Sequence, residues 1–121
     1  MTKVLVVDDT PSNLHLALEI LDGEGFIAQG VEGGAEAIKK TEKEIYDLIL
    51  MDVKMPDMDG IEATKVIKKN HAHKNVPVIA LTAYAMVGDK EKILNAGCFE
   101  DYMSKPFDMS DFIKKMEKYR K

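Results

Sequence analysis

Residues 48–60 read LILMDVKMPDMDG, and the reading of that stretch decides the fold. Four apolar residues run without a break into Asp52. A loop closed by Gly60 follows, carrying two more acids, Asp57 and Asp59. A short continuous apolar run of this kind predicts a strand buried on both faces. Taken alone, Asp52 has a bland explanation, because an aspartate after a strand is commonly a turn residue or a helix cap. Its meaning depends on which other side chains the fold brings beside it.

The same pattern recurs along the chain. Residues 4–7 (VLVV) predict a first strand, ended by Asp8 and Asp9. Residues 26–31 (FIAQGV) predict a weaker second strand. Residues 76–81 (VPVIAL) predict a fourth, ended by Thr82, and 99–103 (FEDYM) a short fifth before Lys105 and Pro106. Between them lie amphipathic stretches. Thr10 and Pro11 predict a helix start, with a capping hydroxyl and a proline in the first turn. Leu14, Leu18 and Leu21 keep helical spacing until Gly23 and Gly25. Residues 34–44 predict a polar helix around Ala37 and Ile38, and 60–69 a helix with Ile61, Thr64 and Ile67 inward. Residues 88–96 predict a helix stopped by Gly97. Residues 109–120 predict another, with Met109, Phe112, Ile113 and Met116 on its apolar side. Five β/α units imply an α/β fold with a parallel sheet covered on both faces. The reading predicts a single domain over 1–121 with no output domain.

Bulk properties narrow the function classes. With 121 residues, 45% apolar and 31% charged, the chain has the make-up of one ordinary globular domain. A net charge of −4 argues against nucleic acid or an anionic membrane as the main partner. The single cysteine, Cys98, cannot form an internal disulfide, which suits the cytoplasm. No apolar run approaches the roughly 18 residues of a membrane span.

In a parallel sheet all strands end on one edge, and ligands bind there where strand order reverses. In a doubly wound (βα)5 sheet of order 2-1-3-4-5, the first and third strands are neighbours at that point. Asp8, Asp9 and Asp52 would then converge, with Thr82 one strand away and Lys105 just past the fifth. Two unit charges about 4 Å apart repel by about 4 kcal/mol at an effective dielectric near 20. Such a pocket takes up protons or holds a cation. Hard oxygen ligands suit Mg²⁺, which shares its sites with phosphate. Lysine and threonine beside such a centre make a phosphoryl site in which an aspartate can be the nucleophile.

Four segments, in order, carry a resemblance: VLVVDD at 4–9, LILMDVKMPDMDG at 48–60, VIALTA at 78–83 and YMSKPF at 102–107. Together they resemble the receiver domain of bacterial two-component response regulators, in its single-domain, chemotaxis-regulator-like form. The resemblance covers essentially the whole chain. It implies the flavodoxin-like fold, and it implies that Asp52 accepts a phosphoryl group from a histidine kinase or a histidine phosphotransfer protein. It implies Mg²⁺, with Mn²⁺ as a substitute, on Asp9, Asp52 and the backbone carbonyl of Lys54, with Asp8 acting through water. Thr82 would be the switch hydroxyl, Tyr102 the switch aromatic and Lys105 the phosphate contact, reached through a cis Lys105–Pro106 bond. The target would dock on the 86–120 surface of a monomer. Two residues after Asp52 stands Lys54, where many receivers carry a small polar side chain. Tyr84 is bulky at the corresponding place after Thr82, and both flank the path of a hydrolytic water.

Other signals lead elsewhere. Asp57-Met58-Asp59-Gly60 resembles the start of a calcium loop, but Ile61 cannot ligate at the next required position. A haloacid-dehalogenase phosphatase would carry its D-x-D at the end of the first strand. His71 and His73 have no third ligand in view and predict a solvated loop. The glycines at 30, 33 and 34 do not make a dinucleotide fingerprint. Cys98 reads as a packing residue. Lys114, Lys115, Lys118 and Lys121 follow helical spacing and predict a solvated face. Three functions stay open: a phosphorelay switch, a small Mg²⁺-dependent phosphatase with an aspartyl intermediate, and an inactive pseudo-receiver. The full set of Asp8, Asp9, Asp52, Thr82 and Lys105 favours the first.

Overall fold

The computed structural model describes residues 2–82, 87–104 and 108–120, with backbone alone at 87–90 and 92. Five strands and five helices alternate: β1 (Lys3–Val7), α1 (Pro11–Gly23), β2 (Ile27–Val31), α2 (Gly34–Lys43), β3 (Leu48–Asp52), α3 (Gly60–Lys69), β4 (Val78–Thr82), α4 (Val87–Ala96), β5 (Asp101–Ser104) and α5 (Met109–Glu117). A 3-10 turn, His71–His73, precedes β4. All pairings are parallel and the order is β2-β1-β3-β4-β5. This is the expected doubly wound sheet.

Alternation along each strand splits the core between two faces. Val4, Val6, Leu48, Leu50, Ile79 and Leu81 pack against α1 and α5, with Phe112 and Met116 from α5. Leu5, Val7, Ile49, Met51 and Val78 face the opposite way, against Ala37 of α2 and Ala63 and Ile67 of α3. A smaller cluster of Val53, Ala80 and Ile93 lies under α4, with Tyr102 packed against it. β3 and β4 are buried throughout and β1 from Val4 onward, as their unbroken apolar runs require.

Several local expectations change. Thr10 does occupy the N-cap of α1, but its side chain makes no capping bond; its N–H donates to Asp8 Oδ1 at 2.9 Å instead. Met109 is 59% exposed, so the apolar side of α5 begins at Phe112. Lys115 leaves the solvated face: its Nζ reaches Asp101 Oδ1 at 3.2 Å and the Tyr102 carbonyl at 2.8 Å. Lys114 and Lys118 remain exposed.

His73 is the clearest reversal. It is fully buried, and its Nε2 accepts the Tyr46 N–H at 3.1 Å. Burial pushes its pKa down and keeps the ring neutral. Sequence spacing could not reveal this, because Tyr46 lies 27 residues away across the fold. Cys98 is buried as expected, and burial pushes its thiol pKa up. Gly25 (φ 85°) and Gly97 (φ 71°) end α1 and α4 in the left-handed region that glycine enters without strain.

Candidate phosphoryl and metal site

The strand ends at the C-terminal edge position the acidic groups. The β1/β3 register pairs Val7 with Met51, so Asp8 and Asp52 follow side by side on neighbouring strands. The Asp8 N–H donates to the Val31 carbonyl at 3.2 Å, extending the β1–β2 ladder by one residue. Asp8 is fully buried and Asp52 is 3% exposed, while Asp9 is half-buried. One carboxylate oxygen from each of the three lies within 4.8 Å of the others. The convergence expected from strand order is therefore present.

The loop after β3 is held close to this cluster. The Val53 N–H donates to the Leu81 carbonyl at 3.0 Å, and the Val53 carbonyl accepts the Gly60 N–H at 2.8 Å. The Lys54 N–H donates to Asp52 Oδ1 at 3.2 Å, fixing the Lys54 backbone beside the carboxylate. Gly60 has a steric reason to be glycine. A Cβ there would run into the Asp52 carbonyl oxygen and lie 2.9 Å from Val53 Cα.

Thr82 closes β4 at 7% exposure, one residue beyond the Leu81 that pairs with Asp52. The β4/β5 register pairs Thr82 with Ser104 and Ala80 with Tyr102. In a strand alternate residues share a face, so Thr82 and Tyr102 sit diagonally on the α4 side, flanked by the small residues Ala80 and Ser104. Tyr102 is half-buried, with Lys115 Nζ 5.7 Å from its ring centre. A cavity of about 260 Å³ lies beside it between β5 and α5, walled by Ser104, Asp108 and Lys115 among others. Lys105, the Lys105–Pro106 bond and Tyr84 lie outside the described residues.

The two remaining acids of the loop have structural partners. Asp59 caps α3, its Oδ1 accepting the Ile61 N–H at 2.7 Å. Asp57 turns outward to α2, whose N-cap, Gly33, has no side chain to offer. Its two oxygens accept the N–H groups of Gly34 at 3.3 Å and Ala35 at 3.1 Å. The Ala35 bond foremost holds the Asp57 carboxyl below its ordinary range. The sequence offered no signal for this contact, because donors and acceptor are more than twenty residues apart.

The donor set fits a hard divalent cation: three carboxylates, two almost fully buried, with a carbonyl-bearing loop alongside. Comparisons with known proteins agree. The family model for the response regulator receiver domain matches residues 4–117. The polar-differentiation response regulator DivK of Brucella ovis is 38% identical over 120 residues, covering 98% of this chain and 97% of that one. The sensor protein GacS of Pseudomonas syringae pv. syringae is 44% identical over 107 residues, but the match spans 86% of this chain and only 12% of that protein. The receiver domain of a sensor histidine kinase from Pseudomonas aeruginosa, with magnesium coordinated in its active-site cleft, superposes with a TM-score of 0.88 at 36% identity. That match covers 98% of this chain and 96% of that one. The chain belongs to the response regulator receiver domain family.

Proposed function

We propose that Asp52 is the phosphoacceptor of a two-component phosphorelay, taking its phosphoryl group from a histidine of a kinase or phosphotransfer protein. The observation that carries this is the approach of Asp8, Asp9 and Asp52 to within 4.8 Å at the strand ends. Asp9, Asp52 and the Lys54 carbonyl would hold Mg²⁺, with Asp8 acting through water. The ion supplies positive charge against the phosphoryl oxygens. An Asp52 carboxylate oxygen forms a bond to phosphorus while the phosphorus–nitrogen bond breaks. The electron pair leaves with the donor imidazole, which takes up a proton from solvent. Lys105 contacts the phosphoryl group.

The switch runs from Thr82 to Tyr102. Phosphorylation adds charge and three acceptor oxygens, and one of them draws the Thr82 hydroxyl inward. The small Ala80 leaves room for the Tyr102 ring to follow. The target then reads the 86–120 surface. The chain acts as a monomeric, cytoplasmic switch that binds neither nucleic acid nor membrane. Among the described residues no helix is long and apolar enough to cross a membrane.

The test is incubation with acetyl phosphate and Mg²⁺, read by intact mass and peptide mapping. One phosphoryl group on Asp52 is expected, and none on a folded Asp52→Asn variant. Rapid turnover would favour a phosphatase, and full labelling of the variant elsewhere would refute the assignment.

A further inference from the structure

We propose that Asp57 is a positioning residue for the metal. By fastening the middle of the loop after β3 to the N-terminus of α2, it backs the Lys54–Asp52 hydrogen bond in holding the Lys54 carbonyl beside Asp52 and so tunes the Mg²⁺ affinity of the site. The inference rests on the reading above, in which the Lys54 carbonyl is a ligand.

Residues 53–59 connect β3 to α3 and are tied through four residues. Val53 is bonded to Leu81 and Gly60, the Lys54 N–H donates to Asp52 Oδ1, and Asp59 caps α3. Asp57 is the fourth tie and the only one of these that reaches α2. Lys54 and Pro56 between them are exposed, and Met55 and Met58 are only half-buried. Without Asp57, the Lys54 N–H bond to Asp52 still holds one side of that residue, while the segment that carries its carbonyl loses its tie to α2.

The receiving surface on α2 is shaped for this carboxylate. A Cβ at Gly33 would stand 2.9 Å from Asp57 Oδ2, and one at Gly34 would stand 3.0 Å from Met58 Cβ. Two carboxylate oxygens match two adjacent N–H donors at the positive end of a ten-residue helix. Asp57 is not part of the carboxylate cluster, so it acts on the metal only through the loop. Groups that orient metal ligands from outside the ligand set commonly change affinity by about 10–100-fold when removed. A carbonyl oriented through two intervening residues belongs at the lower end.

The experiment titrates Mg²⁺ calorimetrically into the full chain and into Asp57→Ala and Asp57→Asn. It also measures acetyl phosphate labelling as a function of Mg²⁺. We expect Asp57→Ala to weaken Mg²⁺ binding by about tenfold, and Asp57→Asn by less, since an amide oxygen still accepts. At saturating Mg²⁺ both should label Asp52 at nearly the unaltered rate. A cap variant at the opposite edge of the sheet, Asn70→Ala, should leave Mg²⁺ affinity untouched. Linkage is reciprocal, so Mg²⁺ should slow amide exchange at Gly34 and Ala35 in the unaltered chain and not in Asp57→Ala. If labelling of the unaltered chain requires Mg²⁺ and the folded variants show the same Mg²⁺ dependence, the positioning role is overturned alone. If Asp57→Ala does not fold, Asp57→Asn decides by the same criterion. An unaltered chain that neither binds Mg²⁺ nor labels overturns the functional reading as well.

Discussion

Replacing Asp9 by asparagine should weaken metal binding and yet leave the metal-free protein as stable as before, or more so. Asp9 faces two other carboxylates with oxygens within 4.8 Å. At that separation one pair of unit charges costs about 3.5 kcal/mol at an effective dielectric of 20, and about 0.9 kcal/mol in bulk water. Asp9 is half-buried and open to solvent on one side, so the lower figure governs, and two pairs give about 2 kcal/mol. Asparagine keeps the shape and removes the charge. In EDTA, urea unfolding should place Asp9→Asn between equal stability and a gain of about 2 kcal/mol, or several degrees in Tm. With Mg²⁺ at a hundred times its Kd, the unaltered chain should gain about 2.7 kcal/mol. The variant should gain far less, so the order of stability inverts between the two conditions. A variant that loses more than about 1 kcal/mol in EDTA would show that repulsion does not dominate the site. An undiminished Mg²⁺ gain would remove Asp9 from the ligand set.

Thr82→Ala should still take a phosphoryl group on Asp52 but fail to pass the change on. Chemical shifts along β5 and α5 should barely move, and the full unaltered response would refute the Thr82–Tyr102 route. Gly60→Ala should cost at least about 1–3 kcal/mol in urea unfolding and slow labelling of Asp52, because the new Cβ collides with the Asp52 carbonyl. Gly23→Ala, which meets nothing within 4 Å, should be neutral or mildly stabilising. Acid should weaken the fold through His73. Its pKa is lowered in the folded state from an ordinary 6.5, so below that value the unfolded chain binds the extra proton. Stability contributed by the neutral ring is then complete above the unfolded pKa and falls as pH drops through it, by at most about 1.4 kcal/mol per pH unit. Urea unfolding between pH 7 and 5.5 should show this slope, flattened in His73→Gln, whose amide oxygen can accept the Tyr46 N–H. An unchanged slope in that variant would exonerate His73.

Much of the fold was legible because its signals are local. The apolar runs at β1, β3 and β4 are buried on both faces, so they carry no alternation and stand out as blocks. Parallel pairing puts the strand ends on one edge, and the doubly wound order 2-1-3-4-5 then makes the first and third strands neighbours, so Asp8, Asp9 and Asp52 could be placed in one pocket. Strand ends were less legible. β5 begins at Asp101 rather than at residue 99, because Phe99 packs into the core before the ladder starts. What only the tertiary structure decided are contacts between residues far apart in sequence. His73 is buried because Tyr46 needs an acceptor there, and Lys115 turns inward because Asp101 and the Tyr102 carbonyl meet it. Asp57 stands outside the acidic cluster, where the bare N-terminus of α2 offers it two N–H groups. Composition and spacing fix which residues can be strand, helix or ligand. A polar group's partner depends on which element the sheet register and helix packing set beside it, and that distance exists only once the chain has folded.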